Sequence, residues 1–135
     1  MEYNTAQLHN GLRIIHLPNA SKIVYCGFQR KAGTRNAQAG EEGLAHFCEH
    51  VTFKGTAHRN AFAIINSLEK LGGDLNAFTN KEDTVFYSAI PHEHFACAVD
   101  LLTDIVFRST CPQSEIDKEV EVICYDDSDK VNINL

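Results

Sequence analysis

The residues with the clearest chemistry in this chain are two histidines and a glutamate in the pentapeptide His46-Phe47-Cys48-Glu49-His50. On an α-helix, side chains four residues apart lie on the same face, so His46 and His50 can bind one metal ion together. Glu49 would project beside that ion, where it can take a proton from a bound water. The spacing therefore predicts a metal site, and His-x-x-Glu-His is typical of enzymes that hydrolyse peptide bonds.

A catalytic zinc site also needs a third protein ligand and one open position for water. Carboxylates are the best candidates, because the five cysteines include no CxxC pair and the other histidines are poorly placed. Glu119 and Asp126 are seven residues apart, which is two helical turns, and therefore share one face of the last predicted helix. A solvated acidic face is the common alternative, but the histidine pair favours a carboxylate that reaches the metal.

The composition limits the classes of function that the chain can have. The 135 residues are 44% hydrophobic and 22% charged, which is typical of one globular domain with its own core. The net charge of −6, without a Lys/Arg cluster, argues against a nucleic-acid or anionic-membrane partner. The scattered cysteines indicate reduced thiols, and no signal peptide or membrane span is evident. We therefore expect residues 1–135 to form a single domain of a cytoplasmic protein.

Strand patterns occur on both sides of the histidine motif. Asn10-Gly11 lies between apolar segments and predicts a β-hairpin. Residues 23–28 are apolar on both faces, which predicts a central strand. Residues 74–79 and 84–90 predict two further strands joined by the polar turn 80–83. The strands therefore alternate with helical segments along the chain.

Apolar residues recur at helical spacing in four segments, and on the first helix they leave His46, Glu49 and His50 on the adjoining face. Ser114 and Asp117 form a capping-box-like start to the last helix. The architecture expected from these elements is α+β, a mostly antiparallel sheet with helices packed on one face. The predicted core positions, helix by helix, are Leu44, Phe47, Cys48 and Val51; Ile64, Ile65, Leu68 and Leu71; Phe95, Val99, Leu102 and Val106; and Ile116, Val120 and Ile123.

Two motifs in this order resemble those of the pitrilysin-like metallopeptidases, the family of insulin-degrading enzyme and the mitochondrial processing peptidases. Residues 43–56 resemble the family's signature helix with its trailing Gly-Thr, and residues 72–79 resemble its Asn-Ala-x-Thr edge strand. Gly33-Thr34-Arg35 and the helix that contains Glu119 extend the match over nearly the whole chain. The match covers only the N-terminal part of a family member.

The resemblance implies a role for each of these residues. His46 and His50 would ligate zinc (Zn²⁺), and Glu49 would be the general base. The glutamate that matches Glu119 supports the site from behind the ligands. The family's third ligand is a glutamate at the position of Asp126, whose side chain is one methylene shorter.

The resemblance also implies a substrate and a partner. An extended peptide or small protein would add to the sheet along Asn76, Ala77 and Phe78. Family members pair this domain with related domains, so residues 1–135 would be a truncated N-terminal peptidase-like domain. A partner chain or a second copy would supply the missing domain.

The sequence leaves two functions open. The chain can be a zinc endopeptidase domain, or it can be a catalytically impaired or truncated homologue that acts as a binding or assembly subunit. Asp126 and the missing domain favour the second function. A structural zinc domain is disfavoured, because structural sites usually have four ligands and are rich in cysteine.

Overall fold

The structure is a computed structural model that describes the backbone of residues 2–126 and the side chains of residues 2–121. Within those residues the strands form two antiparallel sheets, which confirms the predicted α+β class. One sheet is a hairpin of β1 (Asn4–Gln7) and β2 (Arg13–His16). The other has the order β3-β5-β4 and consists of β3 (Ile23–Arg30), β4 (Asn76–Thr79) and β5 (Thr84–Pro91).

The predicted hairpin at Asn10-Gly11 is confirmed. The Leu8 N–H donates to the Leu12 carbonyl over 2.9 Å, and Gly11 has a φ of +87°. That backbone conformation is strained for residues with a Cβ, so glycine suits this corner of the turn.

The three-stranded sheet has β5 at its centre, so the prediction that residues 23–28 form the central strand is wrong. Within the described residues β3 lies at an edge, and its side chains alternate between the core and the surface. Cys26 and Phe28 pack against the core, whereas Tyr25 is 75% exposed. Apolar residues on both faces of a strand therefore do not identify the central strand here.

The helices begin and end close to their predicted positions. Asn60 caps the second helix, because its side-chain oxygen accepts from the Ala63 N–H over 2.9 Å. The predicted capping box at Ser114 is wrong: the last helix already begins at Gln113, whose amide donates to Asp117 over 2.8 Å. Residues 2–126 contain four α-helices, which are α1 (Leu44–Thr52), α2 (Ala61–Glu69), α3 (Phe95–Phe107) and α4 (Gln113–Asp126), with short 3₁₀ turns at Thr34–Asn36 and His92–His94.

The core lies between α2, α3 and the inner face of the three-stranded sheet. Its fully buried members are Ile64, Leu68, Phe86, Ile90, Ala98, Leu101, Leu102 and Ile105. No helix among the described residues has both the length and the apolar composition needed to cross a membrane.

Several predicted core positions are exposed instead. On α3 the buried face is rotated, so Leu102 is the only member of the predicted stripe that is fully buried, and Phe95 is 44% exposed. Ile65 on α2 is 51% exposed, and Leu44 on α1 is 41% exposed. Cys48 is exposed as well. These helices carry apolar residues on more than one face, so periodicity alone does not define the buried one.

Candidate metal centre

The two histidines of the pentapeptide lie side by side on α1. Their Nε2 atoms are 2.9 Å apart, and the ring centroids are 4.4 Å apart. The His46 side chain is 58% exposed and that of His50 is 36% exposed, so the pair faces solvent. The predicted pairing of the rings is present, and their Nε2 atoms converge on one position.

His50 is held by a carboxylate from α4. Its Nδ1 atom lies 2.6 Å from Oε1 of Glu119. An ionised carboxylate can only accept, so Nδ1 carries a proton, and in the neutral imidazole Nε2 of His50 then keeps its lone pair. This is the tautomer that binds a metal through Nε2.

Glu119 is buried between α1 and α4, with 4% of its surface exposed. Its second oxygen, Oε2, lies 3.1 Å from Nζ of Lys54. Burial by itself raises the pKa of this carboxyl group, but hydrogen bonds and charge from Lys54 and His50 hold the pKa of Glu119 below its ordinary value. Glu119 is therefore a buried anion, and the alternative of a solvated acidic face does not apply to it.

Glu49 is also buried, with 9% of its surface exposed, which the predicted helix face did not anticipate. Oε2 of Glu49 accepts a hydrogen bond from the Thr79 hydroxyl at the end of β4, and lies 4.0 Å from Nδ1 of His46. Thr84 on the adjacent strand lies 3.4 Å from the Thr79 hydroxyl and donates to the Ala32 carbonyl over 2.8 Å. Strand β4 thus positions Glu49 beside the histidine pair.

Sequence reasoning missed two residues that hold this site. Lys54 lies two residues beyond the end of α1, so helical spacing does not indicate its contact with Glu119. Thr79 ends the Asn-Ala-x-Thr segment, whose predicted role involves only backbone pairing of residues 76–78 with a substrate. Both residues contact the carboxylates rather than the histidine rings.

The expected substrate strand, Asn76 to Phe78, lies in β4 next to Glu49. Strand β4 pairs with β5 on one side, and its other edge is unpaired within the described residues. Ala77 packs against the core, whereas Phe78 is 46% exposed and stacks edge-on against Tyr87. The unpaired edge therefore belongs to the strand whose last residue, Thr79, contacts Glu49.

The third predicted ligand is not tested by the structure. The backbone of Asp126 ends α4, two turns beyond Glu119, and its side chain lies outside the described residues. Among the side chains that are described, no group of three His, Cys, Asp or Glu residues is arranged to hold a metal. The two imidazole nitrogens fit zinc, which prefers nitrogen, sulfur and carboxylate oxygen ligands.

Within the described residues, the His-x-x-Glu-His segment lies on a helix beside an unpaired edge of the three-stranded antiparallel sheet. The chain belongs to the family described as Insulinase (Peptidase family M16), whose family profile matches residues 13–135. This confirms the predicted relationship to the pitrilysin-like metallopeptidases.

Relatives of known name support the same family. An uncharacterized zinc protease of Rickettsia bellii is 39% identical over 123 residues, which cover 90% of this chain and 30% of the relative. The beta subunit of the mitochondrial-processing peptidase of Saccharomyces cerevisiae is 40% identical over 121 residues, covering 88% of this chain and 26% of that subunit. The chain thus spans under a third of these relatives.

The fold is also found in a crystal structure of a protease from Helicobacter pylori. The two structures superpose with a TM-score of 0.88 at 23% sequence identity. The match covers 93% of this chain and 30% of the bacterial protein. The described fold therefore corresponds to under a third of the Helicobacter pylori chain.

Proposed function

We propose that this chain is the zinc-binding part of a metalloendopeptidase, with His46 and His50 as ligands and Glu49 as general base. The observation that carries the proposal is the convergence of the two Nε2 atoms, 2.9 Å apart, beside a buried carboxylate. Zinc held there would polarise the scissile carbonyl and lower the pKa of the attacking water. The family and the names of the relatives support this chemistry.

The residues of the chain divide the remaining work. Glu49 takes the proton of the attacking water and passes it to the leaving amine, as a general base that then acts as an acid. The Thr79 hydroxyl occupies Oε2 of Glu49, which leaves Oε1 as the oxygen for proton transfer. Glu119 keeps the His50 proton on Nδ1, so that Nε2 stays available to the metal.

Substrate binding is proposed at the unpaired edge of β4. A peptide in extended conformation would pair with the backbone of Asn76, Ala77 and Phe78 and would place a peptide bond near Glu49. We further propose that Asp126 is the third ligand and that another part of the protein, or a partner chain or second copy, encloses the substrate. The cytoplasmic location inferred from the sequence stays a prediction.

The second candidate function is that of a catalytically impaired homologue that binds or assembles with a partner. Asp126 is the observation that favours it, because its side chain is one methylene shorter than the glutamate expected at that position. A weaker third ligand would reduce zinc affinity.

One experiment separates the two functions. Zinc content is measured on purified protein, together with cleavage of a quenched peptide library, for the wild-type chain and Glu49→Gln. The exposed Glu69→Gln serves as the matched control, since it removes the same charge at the end of α2. Cleavage that only Glu49→Gln abolishes supports the peptidase. Bound zinc without Glu49-dependent cleavage supports the binding subunit, and an Asp126→Glu variant with higher zinc affinity would identify the defect.

A further inference from the structure

We propose that Lys54 is a positioning residue of the metal centre: its ammonium group holds Glu119 against His50 and thereby keeps the His50 proton on Nδ1. The inference rests on the proposed function, since it assigns a purpose to this proton in metal binding. Lys54 contacts Glu119, and through this carboxylate it acts on His50.

The carboxylate of Glu119 is fixed from two sides. Oε1 lies 2.6 Å from Nδ1 of His50, and Oε2 lies 3.1 Å from Nζ of Lys54. Only 4% of Glu119 is exposed, so water cannot readily replace either partner. With both oxygens occupied, the carboxylate plane has little freedom to turn away from His50.

The position of Lys54 is itself restrained by the backbone. Its N–H donates to the Val51 carbonyl over 3.0 Å at the end of α1. Two residues later, the Thr56 hydroxyl donates to the fully buried Asp104 of α3 over 2.6 Å. The loop after α1 is therefore anchored to the core, and Lys54 reaches Glu119 from a fixed point.

Removal of the ammonium would leave Oε2 of Glu119 buried without a partner. The carboxylate would then be more stable when it turned toward another donor or toward solvent, and its hydrogen bond with His50 would weaken. Neutral histidine in water favours the tautomer with its proton on Nε2. A loosely held His50 would populate that form, which cannot bind a metal until the Nε2 proton is lost.

The test is the tautomer of His50 in the metal-free chain, read from the ring ¹⁵N chemical shifts at pH 8. In the wild-type chain we expect protonated Nδ1 and unprotonated Nε2. In Lys54→Met we expect a mixture of tautomers, and zinc affinity in a chelator competition should fall about 10- to 100-fold. Lys54→Arg keeps a cation at this position and should restore both results. Lys70→Met, at an exposed site after α2, should change neither.

Each result decides the proposal. An unchanged tautomer in a folded Lys54→Met chain would overturn it. If the methionine variant does not fold, Lys54→Gln replaces it, because glutamine keeps a neutral donor; we expect a partial population of the tautomer protonated on Nε2, and a tautomer identical to that of the wild-type chain would overturn the proposal. If the wild-type chain binds no zinc, the proposed function fails, whereas the tautomer measurement still tests Lys54.

Discussion

Replacement of Thr79 by valine removes the hydroxyl group that donates to Oε2 of Glu49 and leaves the shape of the side chain nearly unchanged. A hydrogen bond to a charged group contributes about 1.5–3 kcal/mol to stability. The Glu49 side chain is only 10% exposed, so water compensates little for the loss. We therefore expect Thr79→Val to lower the free energy of unfolding by about 1.5–3 kcal/mol. Thr79→Ser keeps the hydroxyl and loses one half-buried methyl, so it should cost less than about 0.8 kcal/mol.

The assay is urea unfolding followed by circular dichroism, in the presence of a chelator so that bound metal does not add to stability. A double-mutant cycle with Glu49→Ala isolates the contact between the two side chains, and we expect a coupling energy of about 1 kcal/mol or more. A coupling energy below about 0.5 kcal/mol, within the additivity of independent sites, would refute the reasoning that Thr79 holds Glu49. Equal losses in the valine and serine variants would do so as well.

Two further predictions concern the core around α3. Asp104→Asn should cost about 3 kcal/mol at pH 7, the low end for a broken buried ion pair, because Arg59 keeps its second partner Asp100. Burial alone raises the pKa of Asp104, but hydrogen bonds from Thr56, Arg59 and Arg108 lower this pKa below its ordinary value in the folded state. The ionised carboxylate therefore stabilises the fold fully at pH values above the ordinary pKa, and this stabilisation is lost as pH falls through the lowered pKa. In urea unfolding, the difference in free energy of unfolding between the wild-type chain and Asp104→Asn should therefore decrease below about pH 4. A difference that increases on acidification would contradict the lowered pKa of Asp104. Leu102→Ala should cost about 2–5 kcal/mol and Phe95→Ala less than about 1 kcal/mol, and the reverse order would show that the wrong face of α3 is buried.

The features that sequence reasoning predicted correctly depend on local spacing. A few neighbouring residues specify each of these features, which are the Asn10-Gly11 turn, the polar turn between β4 and β5, and the helix that carries His46 and His50. Their geometry needs no information about which elements pack together. This explains why the histidine pair was predicted, whereas the position of β3 at the edge of the sheet was not.

The features that were missed depend on contacts between distant parts of the chain. Strand β5 is central because β3 and β4 pair with its two edges, and strand pairing over such distances leaves no local signal. The buried face of α3 is likewise chosen by packing against the sheet and α2. A helix that is apolar on several faces permits more than one such choice.

The remaining error, on α1, arises from the site itself. Periodicity assigns apolar residues to the interior and charges to solvent, yet Leu44 is exposed while Glu49 and Glu119 are buried. A buried carboxylate is costly unless it is paired, and each of these has partners: the Thr79 hydroxyl for Glu49, and the His50 and Lys54 side chains for Glu119. Because the two carboxylates lie beside His46 and His50, the positions where the simple rule fails coincide with the candidate metal centre, as expected where function overrides packing.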